Sequence, residues 1–144
     1  MDKIYVVYWS QSGNTQAMAE AIGQGITDAG KTAEVVFVSD ALLDELKNAK
    51  AFALGCPAMG AEVLEEMEME PFVESVETFA GGKQIALFGS YGWGDGQWMR
   101  DWEQRMTEAG ATLIGGEGLI CNETPDDSAL AECQMLGKQL AGLA

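Results

Sequence analysis

Apolar β-rich runs alternate along the whole chain with stretches whose apolar residues recur at helical spacing, which is the rhythm of an α/β domain. Lys3 to Trp9 is almost entirely β-branched or aromatic, as expected of a strand buried on both faces of a parallel sheet. From Thr15 to Ala29, apolar Ala17, Met18, Ala21, Ile22, Ile26 and Ala29 predict a helix that Gly30 stops. Thr32 to Val38 predicts a second strand, Ala41 to Asn48 a short helix, and Ala49 to Gly55 a third strand. Cys56 to Glu65, with Pro57 and Gly60, reads as a surface loop. Pro71 is expected to open a helix that buries Phe72, Val73, Val76 and Phe79 and ends at Gly81-Gly82. Lys83 to Gly89 predicts a fourth strand, and Ser90 to Gln97 a glycine-rich loop. A helix through Met99, Trp102, Met106 and Ala109 then stops at Gly110. Thr112 to Cys121 predicts a fifth strand softened at Gly115-Gly116, and Asp126 to Leu143 a last helix with acidic residues in its first turn.

Five β/α repeats predict one doubly wound domain over residues 1–144, without a linker or internal repeat. Ligands of such sheets sit outside the carboxyl ends of the strands, so the loops after strands one, three and four are the places for chemistry. The first, Ser10-Gln11-Ser12-Gly13-Asn14-Thr15, offers hydroxyls, an amide and the unpaired N–H groups of a helix start, a set that suits a phosphate dianion. The bland alternative is that Ser12 or Asn14 only caps the helix. No Lys or Arg lies in this loop, and neither G-x-x-x-x-G-K-[ST] nor G-x-G-x-x-G is present, so a single phosphomonoester fits better than a triphosphate or a dinucleotide. The loop after strand three presents Met59 on Gly60, and the next presents Tyr91 and Trp93 among Gly92, Gly94 and Gly96. An aromatic ring held on glycines opposite an apolar Met is a sandwich for a flat ring. Trp98 and Trp102, four residues apart on a helix, read as core packing.

Composition narrows the chemistry further. The chain has no histidine, which removes the commonest general base and metal ligand. Cys56, Cys121 and Cys133 form no C-x-x-C pair; they read as structural thiols of a reducing compartment. Eight Lys+Arg against 23 Asp+Glu give a formal charge of −15, which argues against nucleic acid and anionic membrane surfaces as partners. No signal-peptide pattern and no apolar run of the ~18 residues a membrane helix needs is present, so the expectation is a cytoplasmic protein.

The segments W-S-Q-S-G-N-T, G-C-P-A-M-G-A-E-V-L-E-E and F-G-S-Y-G-W-G-D-G-Q-W-M-R-D-W-E together resemble the short-chain flavodoxins of anaerobic, clostridial-type bacteria, over essentially the whole length. The resemblance implies a three-layer flavodoxin-like fold with a five-stranded parallel sheet in the order 2-1-3-4-5. It also implies non-covalently bound FMN and one-electron transfer at low potential between semiquinone and hydroquinone, in an electron carrier rather than a stand-alone enzyme. By that resemblance Ser10, Gln11, Ser12, Gly13, Asn14 and Thr15 hold the FMN phosphate, and Pro57 and Ala58 lead into the loop beside the ring. Met59 and Trp93 lie on its two faces, and the Gly60–Ala61 peptide turns over on one-electron reduction. Glu62 faces N3, and Ser90, Tyr91, Gly92, Gly94, Asp95 and Asn122 complete the contacts. The chain departs from frequent family residues at Pro57 and Ala61, and it has no room for a long insertion in strand five.

With no acid, base, nucleophile or metal constellation legible, the cofactor is expected to do the chemistry and the protein to tune it. Partners are expected to be redox proteins with basic docking faces, met by a monomer through an acidic rim in which Glu62, Glu65, Glu66 and Asp95 are the steering candidates. Three other classes stand beside this reading, of which a non-catalytic FMN carrier or scaffold leaves the glycine at position 60 unexplained. An FMN-dependent NAD(P)H:quinone-type reductase would need basic residues for a dinucleotide, and a phosphoacceptor receiver domain would need an acidic pair where Ser10-Gln11-Ser12 stands.

Overall fold

The computed structural model describes residues 3–60 and 63–143. The apolar runs form strands β1 (Lys3–Tyr8), β2 (Thr32–Phe37), β3 (Ala51–Gly55) and β4 (Gln84–Tyr91). The amphipathic stretches form helices α1 (Asn14–Asp28), α2 (Leu43–Asn48), α3 (Met69–Glu77), α4 (Gln97–Glu108) and α5 (Asp127–Leu143). All strand pairings are parallel, and the order is β2-β1-β3-β4 followed by a two-part fifth strand. Its parts, β5 (Thr112–Leu113) and β6 (Leu119–Asn122), both pair with β4.

The fifth strand is therefore not the continuous run that Thr112 to Cys121 suggested. Gly115 and Gly116 take φ of 80° and 83°, a conformation no strand contains, and the chain turns out and back between the two parts. The Gly118 N–H is caught by the Glu103 carboxylate at 2.7 Å, which returns the strand to the sheet at the register that aligns Asn122 with Tyr91.

The sheet is covered on both faces. Apolar residues of α1 and α5, including Met18, Ile22, Ile26, Leu136 and Leu140, fill one side. Residues of α2, α3 and α4, including Leu46, Phe72, Val76, Trp98, Trp102 and Met106, fill the other. Between α3 and α4, Arg105 donates to both oxygens of Glu70 at 2.9 and 2.8 Å and to Glu77 at 3.0 Å, a forked geometry that fixes one helix against the other. Lys83, expected inside β4, instead precedes it, and its Nζ donates to the carbonyls of Lys47 and Ala49 at 2.7 and 2.6 Å, closing the end of α2.

Two departures at element ends shape the ligand edge. β4 runs two residues further than Gly89, so Ser90 and Tyr91 belong to the sheet and not to the loop. Helix α3 starts at Met69, not at Pro71, because the Glu65 carboxylate accepts the N–H groups of Met67, Glu68 and Met69 at 2.8, 2.7 and 3.0 Å. Pro71 then sits in the first turn, where an N–H has no helical partner to lose. Phe79, expected on the buried face of α3, lies beyond its end and is half-buried.

Candidate functional site

In the observed order the chain leaves β1 toward β2 on one side and toward β3 on the other, so the crevice at their carboxyl ends is the topological switch point. A cavity of about 540 Å³ opens there, within the ordinary range of small-molecule sites. The loop after β1 contributes Gln11, Ser12 and Asn14 to its wall; the loop after β3 contributes Pro57, Ala58, Met59 and Gly60. The end of β4 and the following loop contribute Ser90, Tyr91, Gly92 and Trp93.

At one end of the cavity stands the start of α1. Its N-cap is Gly13 at φ 94°, with no side chain capping it, so the reading in which Ser12 or Asn14 caps the helix does not hold. Ser10 serves the turn instead: its Oγ accepts the N–H groups of Gly13 and Gln16 at 3.2 and 3.3 Å. That leaves the N–H groups of Asn14 and Thr15 without an acceptor among the described residues, an anion-binding arrangement backed by the helix dipole. Thr15 is buried, and its Oγ1 pairs with Ser90 Oγ at 3.1 Å and accepts the Ser90 N–H at 3.4 Å. Ser10, Gly13 and Thr15 thus build the loop from behind while Gln11, Ser12 and Asn14 face the cavity.

The second loop continues the sheet before it leaves it. Cys56 N–H donates to Phe88 O and Ala58 N–H to Ser90 O, both at 3.1 Å. A Cβ on Gly89 would lie 2.1 Å from the Cys56 carbonyl oxygen, so the approach of the two strands requires glycine there. Met59 and Val63 then exchange both N–H···O bonds at 2.9 Å, a tight hairpin whose tip begins at Gly60 with φ 46°. Ala61 and Glu62 lie outside the described residues. Beneath the hairpin Trp98 donates Nε1–H to the Cys56 carbonyl at 3.0 Å and is fully buried with Trp102, the packing role expected of both.

Trp93 differs from those two tryptophans: it is 56% exposed although it lines the cavity. A large apolar ring held in water on a glycine loop is not a core residue, and its place on the wall leaves it free to pack against a ligand. Gly94, at φ 79°, lies beyond the cavity wall, as does Asp95, which is exposed and paired with Arg100 at 2.8 Å. Asn122 also lies off the wall; its Nδ2 donates to the Tyr91 carbonyl at 3.2 Å.

Sequence reasoning missed the fourth wall. Glu123 and Thr124, just past β6, line the cavity. Glu123 takes φ 57°, the one positive φ outside glycine among the described residues, and its N–H donates to Tyr91 O at 2.7 Å. The rule that led to the loops after the other strands applies equally to this one, and the polar run Asn122-Glu123-Thr124 at a strand end was its signal.

Among the described residues, the wall of the cavity carries no Lys or Arg and one carboxylate, Glu123. The one thiol in the loop, Cys56, is buried, which pushes it up to about 12 and keeps it from acting as a nucleophile. Among the described residues, neutral donors at one end and apolar and aromatic groups at the other make a cavity whose chemistry suits a phosphorylated flat ring.

Comparison with known proteins agrees with this geometry. The flavodoxin family model matches residues 6–137. The chain is 49% identical to a flavodoxin of Clostridium beijerinckii over 138 residues, covering 96% of this chain and 99% of that one. It is 44% identical to a flavodoxin of Megasphaera elsdenii, covering 96% and 98%. The solution structure of two-electron reduced Megasphaera elsdenii flavodoxin superimposes with a TM-score of 0.88 at 43% identity, over 96% of this chain and 98% of that one. With the cavity at its switch point and these full-length relatives, the chain belongs to the flavodoxin family, the FMN-binding electron carriers.

Proposed function

We propose that the cavity binds FMN with its phosphate at the start of α1 and its ring between Met59 and Trp93, and that the protein delivers single electrons at low potential to basic-faced redox proteins. The observation that carries the assignment of residues is the polarity of the cavity. Unpaired N–H groups, Ser12 and Asn14 stand at one end, and Met59, Tyr91 and the exposed Trp93 at the other. Ser10, Gly13 and Thr15 hold the phosphate loop in shape, Pro57 and Ala58 bring the second loop to the ring, and Gly60 places a backbone group beside it. Ser90, Tyr91 and Gly92 support the ring from the β4 side, with Asn122 behind Tyr91; Ala61, Glu62, Gly94 and Asp95 stay assigned to the ring side by family resemblance.

FMN, when bound, supplies the redox chemistry by taking up and releasing one electron at a time. The residues around it exclude water and fix its orientation, while Glu123 on the wall and the chain's net charge of −15 disfavour added negative charge. Glycine at position 60 takes a positive φ without a Cβ clash, so a peptide there can change orientation at little cost. The net charge of −15 supports partners that are basic where they dock. It also supports a role away from nucleic acid and anionic lipid, and among the described residues no helix is long and apolar enough to cross a membrane. Three free, buried thiols support a reducing compartment, the cytoplasm, and the single sheet with both faces covered supports one monomeric domain.

The test is an anaerobic stepwise reduction of the FMN-loaded protein followed by visible absorption. A long-wavelength band that grows and then fades is the expected result. Bleaching in one two-electron step would replace the carrier with a hydride-accepting reductase, and failure to bind FMN would overturn the assignment of all the loops.

A further inference from the structure

The loop beside the proposed flavin ring has two unequal legs. The outgoing leg is sheet-like, with Cys56 and Ala58 bonded to β4. Among the described residues of the return leg, Val63 is bonded back to Met59 of the outgoing one, and the next backbone anchor is Glu65. Leu64 is buried beside it but offers packing without direction.

Glu65 is anchored at every polar group it has. Its N–H donates to Cys56 Sγ at 3.4 Å, its carbonyl accepts the Glu70 N–H at 2.8 Å, and its carboxylate accepts the three N–H groups that precede and open α3. Only 7% of Glu65 is exposed, so it does not belong to the steering rim where its sequence position placed it. Burial alone would push this carboxyl up, but the three N–H donors outweigh it and hold it below the ordinary carboxylate range.

We infer that Glu65 is a positioning residue for the flavin site: by tying the return leg of the Gly60 hairpin to the start of α3, it sets where Met59 and Gly60 stand against the ring. This rests on the FMN assignment above. Among the described residues, the return side is held by the hydrogen bonds of Glu65 and the packing of Leu64. The two oxygens divide the work, since Oε1 holds Glu68 and Met69 while Oε2 holds Met67. An amide keeps the first pair and loses the acceptor for the third.

The experiment compares Glu65→Ala, Glu65→Gln and Glu66→Gln. Glu66 is the exposed neighbour, and its variant removes the same charge without touching the loop. Backbone hydrogen exchange at residues 63–69 is read with and without FMN, and FMN affinity and the separation of the two one-electron steps are read on the loaded proteins. Glu65→Ala is expected to raise exchange at residues 63–69 and weaken FMN binding by about tenfold, the scale of a lost cap, and to shift the separation of the steps. Glu65→Gln is expected to fall between it and the wild type, and Glu66→Gln to leave exchange unchanged. Faster exchange in α3 with unchanged FMN affinity and unchanged separation would overturn the proposal and leave Glu65 a helix cap only. If the wild type itself binds no FMN, the flavin assignment fails, and the exchange data still decide whether Glu65 holds the return leg.

Discussion

Three of the chain's tryptophans lie within one short segment, and their burial sorts them by role. Trp98 and Trp102 are almost fully enclosed, and Trp98 also holds the Cys56 carbonyl, whereas Trp93 is 56% exposed at the cavity. Replacing Trp93 by Ala should therefore cost little in the stability of the FMN-free protein, because little packing is lost. It should weaken FMN by roughly 2 kcal/mol, or about thirtyfold, the worth of one large apolar contact taken from water. Urea unfolding of the FMN-free protein and fluorescence titration with FMN separate the two effects; equal losses in both would make Trp93 a core residue after all. This distinction was legible in the sequence, since Trp93 has glycine on both sides and no period to bury it, while Trp98 and Trp102 share a helical spacing. Glu65 was not legible. Its charge and position suggested a surface carboxylate, and nothing local announces that three backbone N–H groups fold back onto it.

Element by element, the strands followed from where β-branched runs begin and end and their order from the family resemblance, and the errors fall where tertiary contacts set the ends. The fifth strand breaks because two glycines take positive φ and Glu103 recaptures Gly118; α3 starts early because Glu65 caps it. The crossing of α1 and α5 is another contact the periodicity does not reveal. A Cβ on Gly25 would lie 2.0 Å from Gln134 O, and one on Gly137 would lie 2.1 Å from Ile22 O. The two backbones thus touch at two glycines, and the helix that opens on the proposed phosphate site is held in place by that contact. Gly137→Ala should force the helices apart and destabilise the protein by roughly 1–3 kcal/mol, as overpacking does. Gly142→Ala, on the same helix with nothing within 4 Å of its Cβ, should stay within about 0.5 kcal/mol of wild type. Denaturant midpoints compare the two; equal effects would show that α1 and α5 can separate without cost.

On the scale of the molecule the governing fact is a charge of −15 on 144 residues, legible from composition alone, although composition could not say how few of the carboxylates are compensated. Among the described residues Arg105 takes Glu70 and Glu77, Arg100 takes Asp95, and Lys3 and Lys47 lie at 3.8 and 3.9 Å from Glu34 and Asp44; with 23 carboxylates against eight cations, the excess repels itself across the surface. The same charges then predict two responses to salt of opposite sign. Screening relieves the self-repulsion that opposes compactness, so the melting temperature of the FMN-free protein should rise as ionic strength increases. Screening also removes the attraction of a basic partner, since the Debye length falls from about 30 Å at 0.01 M to about 10 Å at 0.1 M, so the electron-transfer rate to such a partner should fall over the same range. Stopped-flow transfer to a positively charged redox protein, run beside thermal melts in the same buffers, tests both at once. Rates that do not change with salt while the melting temperature climbs would show that the acidic shell faces water only, and that docking at the exposed edge of the site relies on apolar contact around Trp93.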